Sequence, residues 1–288
     1  MQSPTRQGVL FMLLSAGAFS IMTVFVKLAG ERLPSQELVV ARALISLVLS
    51  WAMLRRAGVS PWGHNKLWLW IRGGLGFAGL SCVYGAVTHL PLAEATVLHH
   101  LHPAFAAVLA GVFLRERVTR KILLAIGLSL SGVVLVARPA FIFGSTAGSL
   151  DPFWVMVAIG GAFCSAAAYV VVRRLSSEED PLVIVFYFPL VTLPVALPTM
   201  LPNFVWPEGI EWLLLLGIGL STQVGQFNLT RGLTILPAAQ GTTLSYIQVV
   251  FAAIWGIAIF HEKPDIGTII GGTVIIASSI WVARDRSA

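Results

Sequence analysis

The stretch EATVLHHLHPAF at residues 94–105 places one carboxylate and three imidazoles in an otherwise apolar part of the chain. On a helix of about 3.6 residues per turn, Glu94, His99 and His102 share one face, and His100 points toward a neighbouring helix. Because histidine changes charge near neutral pH, this face could take up and release a proton. The same three side chains could bind a metal, although the sequence offers no second His/Cys cluster to complete such a site.

Pro103 follows this polar face directly. It removes a backbone hydrogen bond, which predicts a kink and leaves the carbonyl of His99 in need of a new partner. The histidines could also simply hydrogen-bond between packed helices, as polar side chains in membrane bundles often do. Three ionisable groups on one face favour the lining of a polar cavity instead.

Arg42 is a single cation in the apolar stretch ELVVARALISLVLSW. A buried cation at membrane depth is costly unless it reaches water, a carboxylate or a ligand. Glu37 lies on the same helix and would reach Arg42 only by bending back, so an acceptor on another helix or on a substrate is favoured. A bidentate contact with an anionic group of a substrate would suit a guanidinium.

The elements that position these residues are membrane spans. The chain is 57% hydrophobic and only 11% charged, with a mean hydropathy of +0.85, which is typical of an integral membrane protein. Because the basic residues are scattered between apolar blocks, the net charge of +6 does not indicate a nucleic-acid partner. The pattern predicts an all-α fold with ten transmembrane helices, spans 1 to 10 in chain order, at 9–29, 35–54, 67–88, 93–114, 121–137, 153–173, 181–201, 211–231, 238–260 and 265–283.

Lysine and arginine predict the orientation of these spans. Most of them, Arg72 among them, fall in segments that are cytoplasmic if the N-terminus is inside, and Arg42 alone remains within a span. We therefore expect a multi-pass protein of the inner (plasma) membrane with both termini in the cytoplasm.

The chain also contains an internal repeat. LPLAEAT at 90–96 aligns with LPAAQGT at 236–242, a shift of 146 residues that also pairs Glu116 with Glu262. This predicts two units of five helices, residues 1–146 and 147–288. Because five is odd, the second unit enters the membrane from the opposite side, so the repeats are inverted.

The shift of 146 residues aligns Glu94, His99 and His102 of span 4 with Gln240, Ser245 and Gln248 of span 9. It therefore predicts a matching polar face on span 9 that carries no charge. Further polar side chains share faces on spans 3 and 8 and are second candidates for the lining of the cavity. The candidate substrate-binding residues are therefore Arg42, Tyr84, Glu94, His99, His102, Gln223, Gln226, Gln240, Ser245 and Gln248, with Glu94, His99 and His102 also candidates for proton coupling.

These motifs resemble a known family. The pattern L-P-x-A-x-x-T, a following Phe-Ala-Ala, and the ends LRER at 114–117 and FHEK at 260–263 resemble the paired EamA repeats of the drug/metabolite transporter superfamily. The resemblance implies a five-plus-five arrangement around a central cavity lined mainly by spans 1, 3, 4, 6, 8 and 9. It implies little about the substrate.

The sequence thus predicts a secondary transporter, an exporter or exchanger of a small polar or anionic metabolite such as an amino acid or organic acid, working by alternating access. No Walker A pattern occurs, so we expect no cofactor, and the driving force would be protons or a counter-substrate. The alternatives are an intramembrane enzyme or metal-handling protein that uses Glu94, His99 and His102, or a lipid transporter. Besides its substrate and membrane lipid, the protein could meet a second copy of itself through the small-residue surface at Gly267 and Gly271, so a monomer and a homodimer both remain open.

Overall fold

The computed structural model describes residues 4–90, 92–137, 142, 151–261 and 266–284, except for the side chains of residues 4, 87, 88 and 92–94. In these ranges the chain is helical and contains no strand. The α-helices are α1 (Pro4–Ala29), α2 (Ser35–Ala57), α3 (Lys66–His89), α4 (Leu92–His99), α5 (His102–Phe113), α6 (Arg120–Ala137), α7 (Pro152–Leu175), α8 (Pro181–Met200), α9 (Glu211–Ile235), α10 (Ala238–Leu244), α11 (Ile247–Phe260) and α12 (Ile266–Ala283).

Within the described residues, eight helical stretches are long and apolar enough to cross a membrane, so the chain is a multi-pass membrane protein. Two of them each combine a pair of short helices, α4 with α5 and α10 with α11. The helices α3, of 24 residues, and α9, of 25 residues, are also long but are not among these eight stretches. Each predicted span coincides with one helix or one such pair, and crossings beyond these eight stay a prediction.

Local sequence explains several helix ends. The helices α7 and α8 each begin with an aspartate followed by proline; the Asp151 side chain accepts from the backbone N–H of Phe153, and Asp180 does the same for Leu182. The helix α2 ends at Gly58, whose φ of 66° is left-handed, and its N–H closes the last turn.

The predicted kink at Pro103 is a full interruption between α4 and α5. A matching interruption at Ser245 and Tyr246 separates α10 from α11, although no proline lies there. The shift of 146 residues relates the two breaks to within one residue. Each break frees backbone carbonyls, which must find partners inside the protein.

Helices pack mainly across the two halves of the chain. The helix α1 lies along α9, α3 along α7, α2 along α8, and α6 along α12. Glycine permits the close approach of α3 and α7: a Cβ on Gly79 or on Gly161 would lie 3.3–3.4 Å from the carbonyl oxygen of the other.

The bundle has two ends, which we name by a residue in each. The Glu116 end holds the loops 58–65, 114–119, 176–180 and 236–237, and the Trp206 end holds the loops 30–34 and 201–210. At the Trp206 end, Arg32 pairs with Glu211 and donates to the carbonyl of Trp206 over 2.8 Å. At the Glu116 end, Asn65 donates to Glu178 over 2.8 Å.

Candidate functional site

Two buried arginines share one aromatic ring. The guanidinium carbon of Arg42, on α2, lies 5.5 Å from the centre of the Phe188 ring, and that of Arg72, on α3, lies 5.1 Å from it. Phe188 comes from α8, so three helices converge here. The aromatic faces attract the cations and replace part of their lost hydration.

Arg72 is a second buried cation, which the sequence analysis did not single out. Its side chain is 2% exposed and lies within α3, whereas the count of cytoplasmic charges had assigned it to a loop segment. Arg42 itself is 6% exposed, as expected for a residue in the middle of a span. The bundle therefore contains two buried cations close together.

The direct neighbours of both arginines are neutral. The Tyr84 hydroxyl lies beside Arg42, and Tyr169, on α7, lies near both guanidinium groups. Arg72 donates from Nη2 to Oε1 of Gln226 over 3.3 Å. Among the described residues, no carboxylate lies within ion-pair distance of either arginine.

Glu37 is not the partner of Arg42. Its Oε2 accepts from the backbone N–H of Val205 over 3.2 Å, at the Trp206 end. This contact agrees with the argument from the sequence that Glu37 does not pair with Arg42.

Several polar atoms beside the arginines have no hydrogen-bond partner within the described part of the chain. They are Nε of Arg42, Nε of Arg72, Oγ of Ser46 and Oγ1 of Thr192, all of them buried. Ser46, Thr192 and Arg42 border the same narrow space next to Phe188. Buried polar groups normally find a partner, so four such atoms next to two arginines are unusual.

The three histidines form a second cluster. The interruption after α4 brings the rings of His99, His100 and His102 within 5.2–6.1 Å of one another. His102 contacts the carbonyl of His99 through Nδ1 (3.1 Å) and Ser245 Oγ through Nε2 (3.2 Å). The carbonyl freed at the break thus has a partner, as the sequence predicted. His100 differs from its prediction because it lies within the cluster while also stacking on Tyr246.

Tyr169 connects the two clusters. Its ring packs edge-on against His102 at 5.5 Å, and it also lies near both arginines. No sequence pattern pointed to this residue, because a single tyrosine on an apolar helix fits ordinary packing.

The remaining predicted residues are distributed more widely. Gln223 donates to Ser50 over 2.9 Å, on the α2 side of α9, and Gln240 donates to the carbonyl of Val282 over 3.0 Å, on α12. Gln248 is half-buried at the start of α11. The Glu94 side chain lies outside the described residues. Within the described residues, no group of three or more His, Cys, Asp and Glu side chains is arranged to hold a metal ion.

The open space differs from the predicted central cavity. A cleft of about 300 Å³ lies among α2, α3 and α8 toward the Trp206 end, and Tyr84 and Thr199 contribute to its lining. The space beside Arg42 is too narrow for a water molecule. Val39 and Leu80 line both spaces, so they stand between the cleft and the arginines. The resemblance implied a cavity lined by spans 1, 3, 4, 6, 8 and 9. Of these, only span 3, which is α3, lines the observed cleft.

In contrast to the cleft toward the Trp206 end, the Glu116 end is held together by an ion pair and by hydrogen bonds. Arg173, on α7, donates from Nε to Oε1 of Glu116 over 2.9 Å, and Glu116 Oε2 accepts from the backbone N–H of Ala238 over 2.8 Å. Arg173 also donates to the carbonyls of Leu233 and Thr234. Three segments from both halves of the chain therefore meet at one ion pair.

Comparison with known proteins now identifies the family. The EamA-like transporter family matches residues 6–138 and 152–284. The chain belongs to this family. It is a membrane transporter of the drug/metabolite transporter superfamily, and the names of its relatives indicate transport of small molecules rather than enzymatic activity.

Relatives of this EamA-family chain include transporters with different names. The "Pseudopaline exporter CntI" of Pseudomonas aeruginosa (strain UCBPP-PA14) is 34% identical over 98% of this chain and 97% of its own length. The "S-adenosylmethionine uptake transporter" of Rickettsia prowazekii (strain Madrid E) is 26% identical over 96% and 92%. A solved crystal structure, 19% identical, shares the fold with a TM-score of 0.83 over 96% of both chains.

Proposed function

We propose that this chain exports, or exchanges, a small anionic organic metabolite such as an organic acid or amino acid by alternating access. The observation that carries the proposal is the buried Arg42, which pairs with no carboxylate among the described residues and whose Nε has no hydrogen-bond partner there. An uncompensated buried cation is costly, and an anionic ligand would offset that cost when bound.

The contrast between the two ends supports alternating access. The Glu116 end is closed by the Arg173–Glu116 pair, whereas a cleft extends from the Trp206 end toward Arg42. This arrangement fits a state that is open toward the Trp206 end. We assign the Glu116 end to the cytoplasm, because arginine and lysine are concentrated there.

An inverted repeat would supply the rocking motion. We infer ten crossings, in two units at residues 1–146 and 147–288. Exchanging the two units turns the α1–α9 contact into the α7–α3 contact, and both are among the most extensive contacts in the bundle. The two matches of one family to successive halves support the same arrangement.

The α3 and α9 helices would be the two further crossings. Their polar side chains Arg72, Gln223 and Gln226 are buried against other helices rather than exposed to lipid. Such polar residues lower the mean hydropathy of a helix without preventing it from crossing inside a bundle.

The direction and the driving force are also part of the proposal. Export agrees with the name of the Pseudomonas aeruginosa relative, an exporter at 34% identity. Exchange agrees with the absence of any Walker A pattern in the sequence. The histidine cluster with Ser245 would provide the proton-accepting group if protons drive transport.

The proposal is tested with purified protein in proteoliposomes, by measuring fluxes of labelled organic acids and amino acids. Arg42→Lys keeps the charge but loses the bidentate geometry, and we expect at least a tenfold loss of flux with unchanged insertion and melting temperature. Arg56→Lys, at an exposed arginine of the same helix, is the matched control. Unimpaired flux in Arg42→Lys would contradict the proposal, and a loss of folded protein would assign Arg42 a structural role.

A further inference from the structure

The Arg42–Arg72 pair carries more positive charge than one carboxylate can neutralise. Both guanidinium groups are buried, and both lie over Phe188 at 5.5 and 5.1 Å from its centre. Two like charges that contact the same ring repel each other in a medium of low dielectric constant. The cost of burying them together is greater than that of burying either alone.

The neutral contacts of Arg72 do not compensate its positive charge. Gln226 takes one N–H of Arg72, and the ring of Phe188 provides a cation–π contact. Neither contact cancels the charge, and Nε of Arg72 remains without a partner among the described residues. A residue with a purely structural function at this depth would be expected to have its charge paired.

The surrounding groups fit the rest of an acidic ligand. The hydroxyls of Ser46 and Thr192 are buried and unpartnered beside Arg42, and the Tyr84 hydroxyl lies next to the same guanidinium. These groups can bind carboxylate oxygens without adding charge. The ligand would enter past Val39 and Leu80, which separate the arginines from the open cleft.

We propose that the transported molecule carries two acidic groups, one for Arg42 and one for Arg72, so that the site selects dicarboxylates over monocarboxylates. This inference rests on the proposed transport of an anion and narrows its substrate class. In the bound state two negative charges face two guanidinium groups, and the repulsion between the arginines is relieved.

The experiment compares linear α,ω-dicarboxylates of four to six carbons with monocarboxylates of the same carbon number. Binding to the purified full-length protein in detergent is measured by calorimetry and by the shift in melting temperature. We expect at least one dicarboxylate to bind tenfold or more tightly than its matched monocarboxylate, because the second acid gains a charge-assisted bidentate contact.

Arg72→Gln and Arg72→Met test the assignment of the second acid. Either variant should lower the dicarboxylate/monocarboxylate affinity ratio to near one, while Arg56→Lys should leave it unchanged. If both variants fail to fold, the comparison of ligands on the unsubstituted protein still decides.

Equal affinity for the two ligand series would overturn this inference. If monocarboxylates then bind and depend on Arg42, the proposed function stands without it. If no carboxylate binds and a neutral or cationic probe such as succinamide or 1,4-diaminobutane does, both proposals fail.

Discussion

Gly132 and Gly271 face each other so closely that neither position has room for a side chain. A Cβ on Gly132 would lie 2.8 Å from the carbonyl oxygen of Gly271, and a Cβ on Gly271 would lie 2.5 Å from the carbonyl oxygen of Gly132. The contact therefore brings the backbones of α6 and α12 directly together. Ser129 and Ser278 hydrogen-bond at 2.6 Å across the same pair of helices.

Alanine at Gly271 should therefore force the two helices apart. We expect Gly271→Ala to destabilise the protein by about 1–3 kcal/mol, the usual cost of overpacking. At the adjacent Gly272, a Cβ meets nothing within 4 Å, so Gly272→Ala should be neutral or stabilise the helix by up to about 1 kcal/mol. Melting temperatures in detergent give the comparison, and equal effects at the two positions would argue against this contact.

The Arg173–Glu116 pair should hold the Glu116 end closed. Glu116→Gln keeps an acceptor for the N–H of Ala238 but removes the charge, which costs about 1–2 kcal/mol for a partly buried charged hydrogen bond. Because the ion pair holds only the closed state together, its loss destabilises that state alone. We therefore expect the ratio of molecules open at the Glu116 end to molecules closed there to rise about five- to thirtyfold.

The measurement uses a reporter cysteine at the buried Ala238 in a background with Cys82 and Cys164 replaced by serine. Membrane-impermeant maleimide should label Ala238→Cys faster when Glu116→Gln is also present. Glu178→Gln, which removes an exposed i,i+4 pair at the same end, is the control and should leave the rate unchanged. Unchanged labelling in Glu116→Gln would contradict the role of the pair.

The helical layout followed from the sequence because the period and length of apolar blocks are local properties. Span 2, predicted at 35–54, coincides with α2, which continues only to Gly58, the residue that terminates it. The interruption at His100 was predicted as a kink from Pro103. Its counterpart at Ser245 was missed because no proline marks it, although the shift of 146 residues leads directly to that position.

The arginine site was only half predicted because burial depends on which helices meet. Arg72 lies six residues from the start of α3, and its position near a predicted loop favoured an interfacial charge. Its contacts with Phe188 and Gln226 come from helices more than a hundred residues away in sequence. No local pattern reports such contacts, and the same holds for Tyr169.

His102 offers a test of proton coupling. If a proton drives transport through the histidine cluster, an imposed pH gradient should stimulate flux of the protein's substrate in proteoliposomes. His102→Gln keeps a hydrogen-bonding group near Ser245 but cannot titrate, so we expect it to lose that stimulation. The exposed His64, replaced by glutamine, is the control. A flux that ignores the gradient in the unsubstituted protein would remove the proton from the mechanism.

Labelling of loops from each side of the membrane tests the ten-helix proposal directly. With eight crossings or with ten, both termini lie on the same side of the membrane, so the termini alone do not separate the two counts. The loops that flank α3 and α9 do separate them.

If α3 crosses, a cysteine at the exposed His64 and one at the exposed His89 should be labelled from opposite sides of the membrane. If α9 crosses, cysteines at Trp206 and at the exposed Arg231 should behave in the same way. Labelling of both members of a pair from one side would exclude that crossing, and with it the inverted relation of the two units. Impermeant maleimide applied to intact cells and to inside-out vesicles, each with a single reporter cysteine, distinguishes these outcomes.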